Sequence, residues 1–123
     1  MATDMEQRDF TTPKGKPVII FSPSGRLDIT TAWQFRLKLQ DAIAQDSPNI
    51  LVNLSTVNFI DSSGLTSLVA GMREADKVGG SFRLCNVHPE ARLVFEVTMM
   101  DSVFEIYDTE AEALAVPFEV AVR

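Results

Sequence analysis

The sequence predicts a single α/β domain with a mixed central sheet of about five strands and about four helices, and three observations carry that prediction. From Pro17 onward, apolar runs of strand length alternate with stretches whose apolar residues recur at helical spacing, the order that gives a sheet covered by helices. Ile50-Leu51-Val52-Asn53-Leu54 is a nearly continuous apolar run of the kind buried on both faces of a sheet. Leu65, Leu68, Val69 and Met72 then fall at i, i+3, i+4 and i+7, one apolar face of a helix. A chain of 123 residues, 46% hydrophobic and 23% charged, suits one core, with no repeat and no linker to divide it.

Residues 1–8 are polar and are expected to fray as a flexible N-terminus, leaving 9–115 as the domain. A short strand around Phe10, turn residues Pro13-Lys14-Gly15-Lys16 and the run Pro17–Phe21 read as an opening hairpin. Ser24-Gly25 ends the second strand. Asp28 or Thr30 then caps a helix in which Ala32, Phe35, Leu39, Ala42 and Ile43 share a face to about Gln45. Asp46-Ser47-Pro48 breaks that helix before the buried strand at Ile50, and Ser55–Ile60 is the approach to the next helix. That helix, from Leu65, fades near Lys77, where Gly79-Gly80 supplies a C-terminal cap. Phe82–Cys85 is a fourth strand and Pro89 a first helical residue for the face Ala91, Leu93, Val94, Phe95 and Val97. Phe104–Tyr107 is a fifth strand, and Asp108 or Thr109 caps a last helix over Glu110–Ala115. Residues 116–123 alternate apolar with other side chains and read as an extra strand that covers a sheet edge or pairs with a second subunit as a homodimer.

Charge narrows the partners. Eleven Lys and Arg against 17 Asp and Glu give a net charge of −6, which repels nucleic-acid backbones and anionic membranes and points to protein partners with a basic face. No segment approaches the roughly 18 apolar residues needed to span a bilayer, and Met1–Gln7 lacks the basic start of a secretion signal, so the expected location is the cytoplasm. Cys85, the one cysteine, is read as a small buried side chain and His88 as a surface or capping residue. No metal site or cofactor is expected.

The polar tetrapeptide Asp61-Ser62-Ser63-Gly64 stands where an apolar run hands over to a helix. Asp and Ser cap helices generally, but one cap needs one side-chain oxygen and here there are three in a row, followed by a glycine that keeps the approach open. A helix N-terminus offers free N–H groups to an anion, so a phosphate can be accommodated there. No nucleophile elbow, P-loop or dinucleotide turn is present and the serines lack an evident base, which argues against an enzyme.

Gly25-Arg26-Leu27-Asp28, a helix, a buried strand, Phe59-Ile60-Asp61-Ser62-Ser63-Gly64-Leu65, Gly79-Gly80 and a second short helix together resemble the STAS domain of anti-sigma factor antagonists, over roughly Val18–Ala115. The resemblance implies that Ser62 is phosphorylated by an anti-sigma factor or related serine kinase, with Ser63 the second candidate. It implies a metal-dependent 2C-type phosphatase that reverses the modification, and an unphosphorylated form that binds the kinase. Asp61, Ser63, Gly64, Gly25 and Asp28 are then expected at the partner surface. Trp33, an aromatic near the start of the first helix, and Met99 and Met100, adaptable side chains, are further candidates. The alternative is a ligand-sensing or transporter-associated STAS module in which the same loop holds a nucleotide or lipid head group. Two positions depart from the family pattern. Arg26 stands where an acidic residue is usual, and Thr98-Met99-Met100 replaces a Thr-Gly-Leu turn, so the short third helix is expected to end without a left-handed residue.

Overall fold

The computed structural model describes residues 5–44 and 49–118. Strands β1 (Met5–Thr11), β2 (Pro17–Pro23), β4 (Asn49–Asn53), β6 (Ser81–Cys85) and β7 (Glu105–Tyr107) form a five-stranded sheet in the order β1-β2-β4-β6-β7. Strand β1 runs antiparallel to β2, and every other pairing is parallel. Strands β3 (Gly25–Leu27) and β5 (Val57–Ile60) form a separate parallel ribbon. The helices are α1 (Ala32–Ala44), α2 (Ser62–Lys77), α3 (Pro89–Val97) and α4 (Glu110–Ala115).

Alternation along the strands sorts the core into two layers. Ile19, Phe21, Ile50, Val52, Phe82 and Leu84 face one way, against Phe35 and Leu39 of α1, Leu68 of α2 and Phe95 of α3. Val18, Ile20, Leu51 and Cys85 face the other way, where Ala113 of α4 and Phe118 cover them. Strands β4 and β6 are therefore buried on both faces, as a parallel sheet with helices on each side requires.

Several boundaries differ from the sequence reading. Met5–Arg8 do not fray: they pair with Ile20–Pro23, and their polar composition reflects an edge strand exposed along most of its length. The ribbon strands β3 and β5 are invisible to periodicity because three and four residues carry no measurable period. Helix α2 starts at Ser62, three residues before the first apolar position, so both serines lie in its first turn. It ends as expected at Gly79, where φ is 76° and the Gly79 and Gly80 amides donate to Asp76 and Ala75 carbonyls.

The C-terminal expectation is also revised. Val116–Phe118 is not a strand, and residues 119–123 lie outside the described residues. Arg83 of β6, only 3% exposed, explains the path of the chain there. Its guanidinium donates to the carbonyls of Ala113, Val116 and Pro117 at 2.7, 2.7 and 2.8 Å and lies 3.7 Å over the Phe118 ring.

Helix α3 ends through a left-handed residue, contrary to expectation: Met99 has φ 62° and ψ 19°. The destination of the next segment dictates that conformation. The turn Met100–Ser102 delivers Phe104 into the core, with ring centroids 5.9 Å from Phe95 and 6.2 Å from Phe82. Burying that aromatic outweighs a left-handed penalty of about 1–2 kcal/mol. The Met99 side chain is 71% exposed and contributes little packing, so Met99→Gly is expected to raise stability by about 0.5–1 kcal/mol in urea unfolding. A lower midpoint would show that the Met99 side chain is itself a packing element.

Candidate functional site

The site is built where the β3–β5 ribbon meets the first turn of α2. Arg26 pairs with Phe59 and Leu27 with Ile60, which brings the Gly25–Asp28 loop alongside the serine motif. The Leu27 carbonyl accepts the Asp61 amide at 3.3 Å. An ideal Cβ on Gly64 would stand 2.0 Å from the same carbonyl oxygen, so Gly64 is a glycine because backbone lies against its α-carbon. This corrects the reading in which it only keeps the serines open to approach.

Asp61 is the N-cap of α2, in an extended conformation. Its Oδ1 accepts the Gly64 amide at 3.0 Å and its Oδ2 the Ile29 amide at 3.3 Å. Both oxygens thus tie main chain to main chain, joining the start of α2 to the loop that enters α1. Ser62 is exposed and Ser63 half-buried. Among the described residues neither hydroxyl has a hydrogen-bond partner, whereas Thr66 and Ser67 donate theirs to the carbonyls of Ser62 and Gly64. The two neighbours differ: Asp61 caps the helix, and the Ser62 hydroxyl is left exposed.

Asp28 organises the neighbouring loop rather than pointing at the serines. Its Oδ1 accepts the Thr30 amide and hydroxyl at 3.0 and 2.6 Å, and Arg26 Nε donates to its Oδ2 at 3.1 Å. The Thr30 hydroxyl above all, then Arg26, pulls the Asp28 carboxyl down to about 2. With a folded pKa below the ordinary carboxylate value of about 3.9, its contribution is fully present above that value and lost as pH falls through about 2. A carboxyl carbon titration of Asp28 by NMR is expected to show the low midpoint; an ordinary midpoint would mean the Thr30 contacts do not persist in solution.

The surroundings are unusually apolar for exposed surface. Ile29, Phe59 and Trp33 are 73%, 39% and 58% exposed, and the Arg26 guanidinium stacks 4.0 Å over the Phe59 ring. Ile29 is not among the residues the sequence points to, and Phe59 enters there only as part of the Phe59–Leu65 motif; an isoleucine in a polar capping turn is the available signal. Met99 and Met100 follow α3, the first exposed and the second partly buried against the core. His88 caps α3, its Nδ1 accepting the Glu90 amide at 3.1 Å. Among the described residues no group of His, Cys, Asp and Glu side chains is arranged to hold a metal ion, and no helix is long and apolar enough to cross a membrane.

Comparison with known proteins gives a consistent family. The STAS domain profile matches residues 9–113. The anti-sigma F factor antagonist of Paenibacillus polymyxa is 30% identical over 98 residues, covering 79% of this chain and 84% of that protein. The structure of the anti-sigma factor antagonist SpoIIAA in its unphosphorylated form superposes with a TM-score of 0.69 at 29% identity, over 90% of this chain and 94% of that one. The phosphorylated form of SpoIIAA, a Bacillus cell fate determinant, superposes equally well, with a TM-score of 0.69 at 28% identity over 90% and 96% of the two chains. With its ribbon, its capped serine turn and its mixed sheet, this chain belongs to the STAS domain family.

Proposed function

We propose that the chain is a partner-switching regulator of the anti-sigma factor antagonist type, controlled by reversible phosphorylation of Ser62. The observation that carries this reading is the exposed Ser62 hydroxyl in the first turn of α2, unpartnered among the described residues, beside an aspartate whose two oxygens are committed to main-chain amides. Phosphorylation adds a charge of about −1.5 to −2, which the helix N-terminus accepts without refolding. The equal likeness to unphosphorylated and phosphorylated SpoIIAA supports a switch that leaves the fold in place.

In this reading the unphosphorylated surface of Ile29, Phe59 and Ser62 docks an anti-sigma factor or related serine kinase in the cytoplasm, and a 2C-type phosphatase restores it. The chain has no catalytic step of its own. Asp61 acts through the capped turn, each of its oxygens accepting one main-chain amide.

Mass spectrometry of the intact protein from its host, with fragment mapping of residues 58–73, should show one phosphate on Ser62 that varies with growth condition. Ser62→Asp is expected to weaken binding to the kinase by at least about tenfold, through like charge and lost contact, while Ser62→Ala retains binding and blocks modification. Phosphate found elsewhere, or unchanged binding by Ser62→Asp, would sink the assignment.

A further inference from the structure

The sheet face opposite α1, α2 and α3 has a thin cover: the six residues of α4 and then Phe118. Between that cover and the β1–β2 turn lies a cavity of about 270 Å³ whose walls include Pro13, Lys14, Lys16, Leu114, Val116 and Phe118. Both walls are fixed in advance. On one side Arg83 holds the carbonyls of Ala113, Val116 and Pro117 and supports the Phe118 ring from behind. On the other, the turn is closed by Thr12 and Lys16: the Thr12 amide donates to the Lys16 carbonyl at 2.9 Å, and the Lys16 amide donates to Thr12 Oγ1 at 3.0 Å. A cleft with rigid walls loses little freedom when it is filled.

The charge of the cleft runs against that of the chain. Lys14 and Lys16 stand together where Leu114, Val116, Pro117 and Phe118 supply apolar surface, in a protein whose net charge is −6. Among the described residues neither lysine has an ion-pair partner. An apolar slot lined by two cations that have no ion-pair partner among the described residues is complementary to an anion carrying an aliphatic body.

We propose that this cleft binds a small amphipathic carboxylate, its aliphatic chain against Leu114, Val116 and Phe118 and its carboxylate at Lys14 and Lys16. At about 30 Å³ of liquid-like volume per heavy atom, the cavity takes a chain of roughly eight carbons. The site lies on the face away from α2, so its occupancy is independent of the phosphorylation reading of Ser62.

The probe is octanoate, titrated into the full-length protein and followed by backbone amide NMR. Shifts are expected in residues 12–16 and 114–118. Lys14→Glu combined with Lys16→Glu should weaken binding by about tenfold or more, and 1-octanol, with the same chain and no charge, should bind weaker than octanoate by a similar factor. Equal binding of octanol and octanoate, or of the wild-type and double-variant proteins, would overturn the assignment. So would binding that appears only after Val120→Asp and Val122→Asp, because the chain's own terminal residues would then be the occupant.

Discussion

Gly64→Ala is expected to lower stability by about 3 kcal/mol, although alanine is the better helix former by about 1 kcal/mol. The sign is decided by geometry. The added methyl would stand 2.0 Å from the Leu27 carbonyl oxygen and 2.8 Å from its carbon, with the Ile60 side chain at 3.1 Å on the same side. A flexible side chain could swing away, but the obstacle is backbone whose carbonyl already accepts the Asp61 amide. Either the start of α2 lifts off the ribbon or β3 is pushed out, and both strain the Asp61 bonds to Ile29 and Gly64. The expected result in urea unfolding is a lowered midpoint with an unchanged slope. On the proposed function, folded Gly64→Ala protein should also be a poor kinase substrate, because its Ser62 no longer sits on a fixed turn. Thr66→Ala, at an exposed position two residues on, is the control and should shift stability by less than about 1 kcal/mol. A Gly64→Ala midpoint equal to wild type would show that the ribbon moves aside freely and is not what fixes the site.

The clash at Gly64 is visible only in three dimensions, and the reason shows what a linear sequence can carry. Periodicity found the first three helices and most of the main sheet, and capping residues the last helix, because Ile50–Leu54 and the Leu65, Leu68, Met72 face reflect burial that a linear pattern records directly. It also placed Ser62 at a helix start, with Asp61 beside it. The contact between Gly64 and Leu27 joins residues 37 positions apart through a three-residue strand, and no local pattern encodes that. Met5–Arg8 failed for a related reason, since an edge strand facing solvent looks like a polar tail. Met99 failed because local propensity was weighed alone, while the destination of Phe104 decided the backbone. Arg83 was legible in principle. An arginine between Phe82 and Leu84, inside an apolar run of strand length, must find acceptors if the strand is buried, and that conflict is itself a signal.

Arg83→Met should produce the other large effect, a loss of about 3 kcal/mol together with opening of the tail. Methionine matches much of the volume and removes a buried charge, and that removal is favourable on its own. Against it stand three carbonyls, of Ala113, Val116 and Pro117, that lose their donors at once, and a Phe118 ring that loses the cation stacked on it. Each orphaned acceptor costs about 1–3 kcal/mol if it stays buried, so the cheaper response is for residues 116–118 to leave the sheet and meet water. Cys85 reports that motion. It is fully buried on the same face, and burial pushes its thiol up to about 12, so in the wild type it should resist a disulfide reagent. In Arg83→Met its reaction should speed up severalfold under conditions where far-UV dichroism shows the fold intact. Arg83→Lys separates charge from geometry, since an ammonium keeps the charge but cannot span three carbonyls as the guanidinium fork does. It should therefore resemble Arg83→Met in thiol reactivity. A lysine variant that protects Cys85 as well as arginine would mean the tail is held by charge alone. A methionine variant with wild-type stability and an unreactive thiol would mean that Phe118 and Ala113 seal this face without the clamp.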